Sequence, residues 1–182
     1  LPMMLGAQQW EIELDNNPVI NGRVMDESET AILVGYEYDG DIYHAAAFKI
    51  YEDGEYEVFS FNKEYKNISL HNIVRLPDGN YFVSGSEDMI LDDNLNVIKH
   101  EKHSADENFI FGDQHDIIVD DDKVIMVCET FGDNIWGRKP TFLKYDIDGE
   151  LQDCMYPTYV EEDDSYGYNH IDFSFNQLKK RP

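Results

Sequence analysis

The chain repeats itself, and this repeat limits its possible folds more than any other feature. Residues 19–35 align with residues 69–85 without a gap, and both segments end in an apolar run followed by a glycine. A third copy starts at Gln114, and a fourth starts at Asn169, shortly before the last residue. A period of about forty to fifty residues is the length of one four-stranded propeller blade.

Each copy contains the signals of two tight hairpins. Aspartate followed by glycine or asparagine between short apolar runs favours such turns, because these residues tolerate a positive φ. One hairpin is predicted at residues 76–80, between the first two strands of the second copy. Three more are predicted between third and fourth strands, at residues 52–54, 92–94 and 146–149. Helical periodicity is weak throughout, so each copy is predicted to contain four strands.

The predicted fold class is an all-β propeller of about three four-stranded antiparallel blades plus the start of a fourth. A single meander exposes two apolar faces and must stack on further copies, and radial stacking gives a propeller. A β-sandwich is the competing fold, but it does not require this repeat. The predicted organisation is as follows: an N-terminal strand or signal-peptide remnant at 1–18, blade 1 at 19–68, blade 2 at 69–112, blade 3 at 113–166 and the start of blade 4 at 167–182.

So few blades do not close a ring, since propellers usually have four to eight. Three explanations remain open: the chain is a fragment with further blades beyond Pro182, several chains complete one ring as a homo-oligomer, or the open edges are covered in another way. The end at residues 177–182, just after a new repeat begins, favours a fragment.

The charge of the chain restricts its partners. Asp and Glu number 38 and Lys and Arg number 14, which gives a formal net charge of −24. Nucleic acid is excluded as a partner, because its binding depends on basic side chains that neutralise phosphates. No apolar stretch is long enough for a membrane span. The remaining partners are a small molecule, a glycan or a protein.

Two segments carry a family resemblance. Residues 76–85 resemble the first hairpin of many bacterial propeller repeats, and residues 142–150 resemble their outer hairpin. The overall pattern of the sequence is similar to that of uncharacterised secreted propeller proteins of gut Bacteroidetes. That resemblance implies a secreted or periplasmic location in a bacterium. Leu5-Gly6-Ala7 also resembles the small-residue end of a signal peptide, although an ordinary first strand fits this segment as well.

A second, local resemblance concerns the histidines. Gln114-His115-Asp116 and Leu70-His71-Asn72 resemble the histidine motifs in the first strands of bacterial arylsulfotransferases, which are six-bladed propellers. The resemblance implies an alternative function, in which a histidine cluster at the channel mouth serves an arylsulfotransferase-like enzyme or a metal-assisted lyase.

The candidate site begins with histidines at one repeat position. The first strand of each blade lines the channel of a propeller, and His71, His115 and His170 are predicted at the starts of three first strands, where the first copy has Asn21. Imidazole titrates near neutrality, so these side chains suit ligand contact, metal binding or acid–base chemistry. The alternative is a structural bond from each side chain to the backbone of the neighbouring blade.

Loops between second and third strands are expected at the same end. Tyr36, Tyr38 and Tyr43 are predicted in the first loop, and Trp136 and Arg138 are predicted in a long third loop at 129–140. Aromatic rings offer flat apolar contacts and arginine offers a forked donor, which suits a carbohydrate, aromatic or anionic ligand. The alternative is that Trp136 packs over the blade and Arg138 pairs with a carboxylate.

No cofactor and no metal site is predicted. Asp120, Asp121 and Asp122 fall in a first-to-second strand turn at the opposite end, and residues 146–149 lack the later ligands of a calcium loop. Cys128 and Cys154 fall on second and fourth strands, which are not neighbours, so a disulfide is not expected. The leading hypothesis is a non-catalytic propeller that binds a ligand or partner through loops at one face. Convergence of the histidines on one point would favour the enzyme instead.

Overall fold

The computed structural model describes residues 18–26, 30–40, 42–61, 67–101, 110–132 and 135–155. For residues 39, 110–115, 129–132 and 135–140, it describes the backbone alone. The predictions for residues 1–17 and for the fourth repeat, including His170, lie outside the described residues.

The described residues form twelve strands and no helix, which confirms the all-β prediction. The strands group in sequence order into three four-stranded antiparallel sheets, and each sheet is a simple meander with the connectivity of a propeller blade. Blade 1 contains β1 (Val19–Met25), β2 (Ala31–Asp39), β3 (Ile42–Ile50) and β4 (Tyr56–Ser60). Blade 2 contains β5 (Leu70–Arg75), β6 (Tyr81–Gly85), β7 (Asp88–Leu91) and β8 (Val97–Glu101). Blade 3 contains β9 (Ile110–Asp120), β10 (Lys123–Gly132), β11 (Ile135–Asp146) and β12 (Leu151–Met155).

The predicted hairpins occur where the aspartate and glycine signals fall, and four of them share one geometry. In each, two backbone bonds close the turn, as Tyr51 N–H to Glu55 O and Gly54 N–H to Tyr51 O do in blade 1. The fourth residue of each turn has a positive φ, which is the geometry of a type I turn followed by a left-handed residue. That residue is Gly54, Gly79, Leu95 or Gly149.

Two predicted loops were wrong. β2 and β3 continue until only residues 40 and 41 separate them, so Tyr36 and Tyr38 are strand residues. β10 and β11 likewise extend to Gly132 and from Ile135, so Trp136 and Arg138 lie in β11 and not in a long loop. Aspartate, asparagine and glycine in these segments have low β propensity, but pairing with the adjacent strand overrides that local preference. β9 begins at Ile110, so His115 lies within the strand and not at its start.

Two apolar layers hold the three blades together. The first layer lies between blades 1 and 2 and includes Val34, Tyr81 and Val83. The second lies between blades 2 and 3 and includes Phe82 and Met126. Successive side chains of β6 therefore pack against different blades, because side chains alternate between the two faces of a strand. A central strand buried on both faces is expected to be apolar throughout, as residues 81–83 are.

The innermost strands bring the blades closest together. β1 packs against β5, and β5 packs against β9, so the first strands of successive blades are neighbours. A Cβ at Gly22 would lie 2.7 Å from the carbonyl oxygen of His71 in the next blade. Only glycine permits this approach of two backbones. Stacking of sheets through their first strands is the arrangement of propeller blades around an axis.

Candidate functional site

A β-bulge recurs at the repeat position that carries the histidines. In blade 1, Ile20 pairs with Gly35 and Gly22 with Val34, which leaves Asn21 as the extra residue. The equivalent pairs leave His71 extra in blade 2 and His115 extra in blade 3. A bulge bends the strand and redirects the side chain of the extra residue. The bulge is thus a shared feature of the three blades at this position.

The first two bulges depend on glycine in the second strand. A Cβ at Gly35 would lie 1.8 Å from the carbonyl oxygen of Val19, and a Cβ at Gly85 would lie 2.0 Å from that of Ser69. Both distances are shorter than any tolerated contact, so the bulge requires the glycine that ends each apolar run. Blade 3 has Cys128 at this position, and a second register shift follows it in the same strand pair.

The side chains at the bulges have different partners. Asn21 Nδ2 donates to the carbonyl oxygen of Leu70 at 2.8 Å, which links blade 1 to blade 2. A bond of this kind, from the side chain at this repeat position to the backbone of the next blade, is the structural alternative to ligand binding. His71 Nε2 instead lies 2.9 Å from Ser69 Oγ, within its own blade. For His115 the structure gives the position in the bulge, and His170 lies outside the described residues.

Three tyrosines cluster where β2 and β3 meet. The ring centroids of Tyr36 and Tyr38 are 5.4 Å apart, with the planes nearly perpendicular, and those of Tyr36 and Tyr43 are 5.5 Å apart. Tyr38 and Tyr43 are direct cross-strand partners. Tyr38 is 54% exposed. A hydrogen bond with Tyr38 is the main cause of the raised pKa of Tyr36. We call these three residues the tyrosine cluster.

The tyrosine cluster and His71 lie at the same end of the blades. Tyr36 pairs with Val19 at the start of β1, so the cluster is at the end where first strands begin. The backbone N–H of Asn67 donates to the carbonyl oxygen of Tyr43 at 2.9 Å, which fastens the segment entering β5 to the cluster. Ser69 follows two residues later and contacts His71. We call this end of blades 1 and 2 the entry face.

Two glutamates at the entry face were not predicted from the sequence. Glu37 and Glu87 each follow a bulge-facing glycine by two residues and are themselves 50 residues apart. Glu37 is 8% exposed and accepts a hydrogen bond from Ser60 Oγ at 2.8 Å. Glu87 forms an ion pair with His100. Glu37 therefore ties the second strand of blade 1 to the fourth, and Glu87 ties the β6–β7 turn of blade 2 to the fourth strand. The repeated Gly-x-Glu pattern was the signal for both carboxylates.

The acidic turns have structural roles at the opposite end. Asp122 pairs with Lys123, whose hydrogen bond lowers the pKa of the Asp122 carboxyl. Asp146 Oδ1 accepts the backbone N–H groups of Asp148 and Glu150. No group of three potential metal ligands is present among the described residues. Cys128 and Cys154 lie on β10 and β12 with β11 between them, and they form no disulfide.

The fold and the repeated bulge define the chain as an all-β protein with propeller-like blades. No family model matches the chain, and no curated protein matches it. Within the described residues, no helix is long and apolar enough to cross a membrane.

Proposed function

We propose that this chain is a non-catalytic binding propeller that recognises a carbohydrate at its entry face. The observation that carries the proposal is the tyrosine cluster, in which Tyr38 is 54% exposed. Contiguous apolar surface that is rimmed by polar groups marks interaction sites, and the three contacting rings form such a surface beside Ser69 and His71. A tyrosine suits this role because its ring is apolar and its hydroxyl forms hydrogen bonds.

The chemistry of the entry face fits a neutral or basic sugar. Tyrosine rings can stack on the apolar face of a pyranose, while Ser69 and His71 supply polar groups beside them. The net charge of −24 opposes binding of acidic glycans, because like charges repel at the surface. His115, His170, Trp136 and Arg138 are proposed to extend this surface around the axis, since they occupy equivalent or adjacent repeat positions.

The test is a glycan array followed by calorimetry with the best ligand. We expect Tyr38→Ala to weaken binding about fivefold, because a lost aromatic contact of this kind costs roughly 1 kcal/mol. Tyr51→Ala is the matched control, since Tyr51 lies in the turn between β3 and β4 at the other end of blade 1. Equal loss of affinity in both variants, or no glycan bound by the native protein, would contradict the proposal.

A second candidate function is an enzyme that uses the channel-mouth histidines. The 2.9 Å contact between Ser69 Oγ and His71 Nε2 favours it, because a hydroxyl bonded to an imidazole is the beginning of a nucleophile–base pair. The test measures turnover of aryl sulfates, esters and uronate polysaccharides by the native protein and by His71→Asn, which copies Asn21 of blade 1. Turnover lost in His71→Asn supports the enzyme, and no turnover of any substrate rejects it.

We also propose that further blades or further copies of the chain complete the ring. Propellers usually contain four to eight blades, and three are described here. Light scattering on a size-exclusion column distinguishes the two cases. A defined oligomer supports a ring shared between copies, whereas a monomer supports either additional blades or an open propeller whose edges are covered in another way.

A further inference from the structure

One face of blade 1 points away from blade 2. Phe48 of β3 lies on it, together with its cross-strand partners Leu33 and Val58. The next residue along β3 toward the entry face, Ala47, belongs to the apolar layer between blades 1 and 2. Because side chains alternate between the faces of a strand, Phe48 and its partners project to the opposite side. We call this side the far face of blade 1.

The centre of the far face is buried, although blade 2 does not cover it. Phe48 and Ala46 are completely inaccessible, and His44 is also buried. These three alternate residues form one line along β3, which we call the buried line. A sheet face that meets water leaves its large apolar side chains partly accessible. A further segment is therefore needed over the buried line.

The segment that covers this line is narrow. Val58 on β4 is 41% exposed and Met25 on β1 is 60% exposed, and both project to the far face. A complete blade covers more, because the face of blade 2 that packs on blade 1 has buried side chains on three strands, namely Ile73, Val83 and Met89. The occupant of the far face is thus about one strand wide.

Residues 10–14 have the pattern that such an occupant requires. They lie outside the described residues, and their sequence alternates Trp10, Ile12 and Leu14 with two glutamates. Strict alternation of apolar and acidic residues is typical of a strand that is buried on one face. Five extended residues span about 13 Å, which is also the distance from His44 to Phe48 along β3. Three apolar side chains therefore match the three residues of the buried line.

The connection to β1 is long enough for this location. Asp15-Asn16-Asn17-Pro18 separates the segment from β1, and these residue types favour a turn. Two strand spacings separate β1 from β3, and a packed layer lies about 10 Å above a sheet, so the path is about 14 Å. The five residues from Leu14 to Val19 reach about 16 Å. The fourth repeat follows blade 3 in sequence, so repeat order assigns it to blade 3 and leaves the N-terminal segment for blade 1.

We propose that residues 10–14 form a strand that covers the buried line and runs antiparallel to β3. The turn at 15–18 leads to the start of β1 at the entry face, so Leu14 lies near His44 and Trp10 lies over Phe48. Glu11 and Glu13 then face away from blade 1. The exposed margins of the far face remain free for the further blades or copies that complete the ring.

The test is nuclear Overhauser spectroscopy of the full chain with labelled tryptophan and phenylalanine. We expect cross-peaks between the indole of Trp10 and the ring of Phe48. Phe48→Leu is expected to remove them, whereas Trp136→Phe, which leaves Trp10 as the one tryptophan of the chain, is expected to keep them.

A second measurement is urea denaturation of matched variants. Trp10→Ser is expected to lower the urea midpoint, because it uncovers Phe48. Glu11→Ser is the control, since its side chain faces away from blade 1, and no loss is expected.

Three results would overturn the proposal. The first is a set of cross-peaks from Phe48 to residues 169–175 in place of Trp10. The second is a Trp10–Phe48 cross-peak that occurs only between chains in a mixture of differently labelled protein, since a second copy would then be the occupant. The third is an equal urea midpoint for Trp10→Ser and Glu11→Ser. If Trp10→Ser does not fold, the cross-peaks of the native chain decide the question.

Discussion

At the scale of single residues, Leu95 shows how one side chain can have two opposing effects. It occupies the left-handed position of the β7–β8 turn, with φ of 61°, where the equivalent turns of the other blades have Gly54 and Gly149. This conformation costs a residue with a Cβ about 1–2 kcal/mol. The Leu95 side chain is only 1% exposed and belongs to the layer between blades 1 and 2. Burial of the leucine offsets the strain of its backbone.

Substitution of Leu95 can separate these two effects. Leu95→Ala and Leu95→Gly both lose the buried side chain, which costs roughly 2–5 kcal/mol. Only the glycine also relieves the left-handed backbone, so we expect Leu95→Gly to be about 1 kcal/mol more stable than Leu95→Ala. Urea denaturation measures both. Alanine is ordinarily the better tolerated of the two, so an alanine variant as stable as the glycine variant would contradict this account.

At the scale of secondary-structure elements, the bulge in each first strand and the glycine in the second strand of blades 1 and 2 act as one unit. Gly85 of blade 2 faces the carbonyl oxygen of Ser69 at a distance that excludes a side chain. The bulge in turn sets the position of His71 and, in blade 1, of Asn21, whose amide reaches blade 2. The glycine that ends the apolar run of the second strand therefore allows the bulge in the first strand.

The steric role of Gly85 can be tested separately from the freedom of glycine to adopt a positive φ. Gly85→Ala places a Cβ about 2.0 Å from a backbone oxygen, so strands β5 and β6 must separate. We expect a loss of about 3 kcal/mol or more in the free energy of unfolding, at the upper end of overpacking effects. Gly40→Ala is the control, because its φ is +66° but no atom lies within 4 Å of the added Cβ. Thermal and urea denaturation of both should show a much smaller loss for Gly40→Ala. Similar losses would mean that the contact at Gly85 relaxes readily.

At the scale of the whole molecule, the joint between blades 2 and 3 combines apolar packing with polar links. Lys99 of blade 2 donates to the carbonyl oxygen of Asp148 at 2.9 Å and pairs with Glu150 of blade 3. Burial alone would lower the pKa of Lys99, but its hydrogen bonds to Glu150 and Glu101 raise it. Burial raises the pKa of Tyr145, and Asp88 raises it further. Deprotonation of Tyr145 is therefore expected to weaken the joint, because it would leave a buried negative charge beside Asp88.

This dependence predicts alkaline destabilisation. The tyrosine pKa is 10.0 in an unfolded chain and higher in the folded one, so the unfolded state releases its proton first. The contribution is complete below about pH 10 and is lost as the pH rises further. Tyr145→Phe removes this group, so its stability should fall less between pH 8 and pH 11, as measured by urea denaturation. The remaining fall would come partly from Tyr81, whose pKa burial also raises. An equal fall in both proteins would contradict the prediction.

The sequence by itself determined the blades and their turns. The 50-residue offset, the apolar run of residues 81–83 and the aspartate–glycine pairs are local signals, and each acts through backbone preference or alternation along one strand. They predicted three four-stranded repeats and four of the hairpins. They also located the repeat position of Asn21, His71 and His115, although they did not predict the bulge there.

Only the tertiary structure decided where strands end and what the polar side chains contact. Asp39 and Gly132 have poor β propensity, yet each lies in a strand because the partner strand pairs with it. The bond from Asn21 to Leu70 joins blade 1 to blade 2, and the ion pair of Lys99 with Glu150 joins blade 2 to blade 3. Such contacts depend on how complete blades stack, because burial of polar atoms is a property of the packed interface and not of the local sequence.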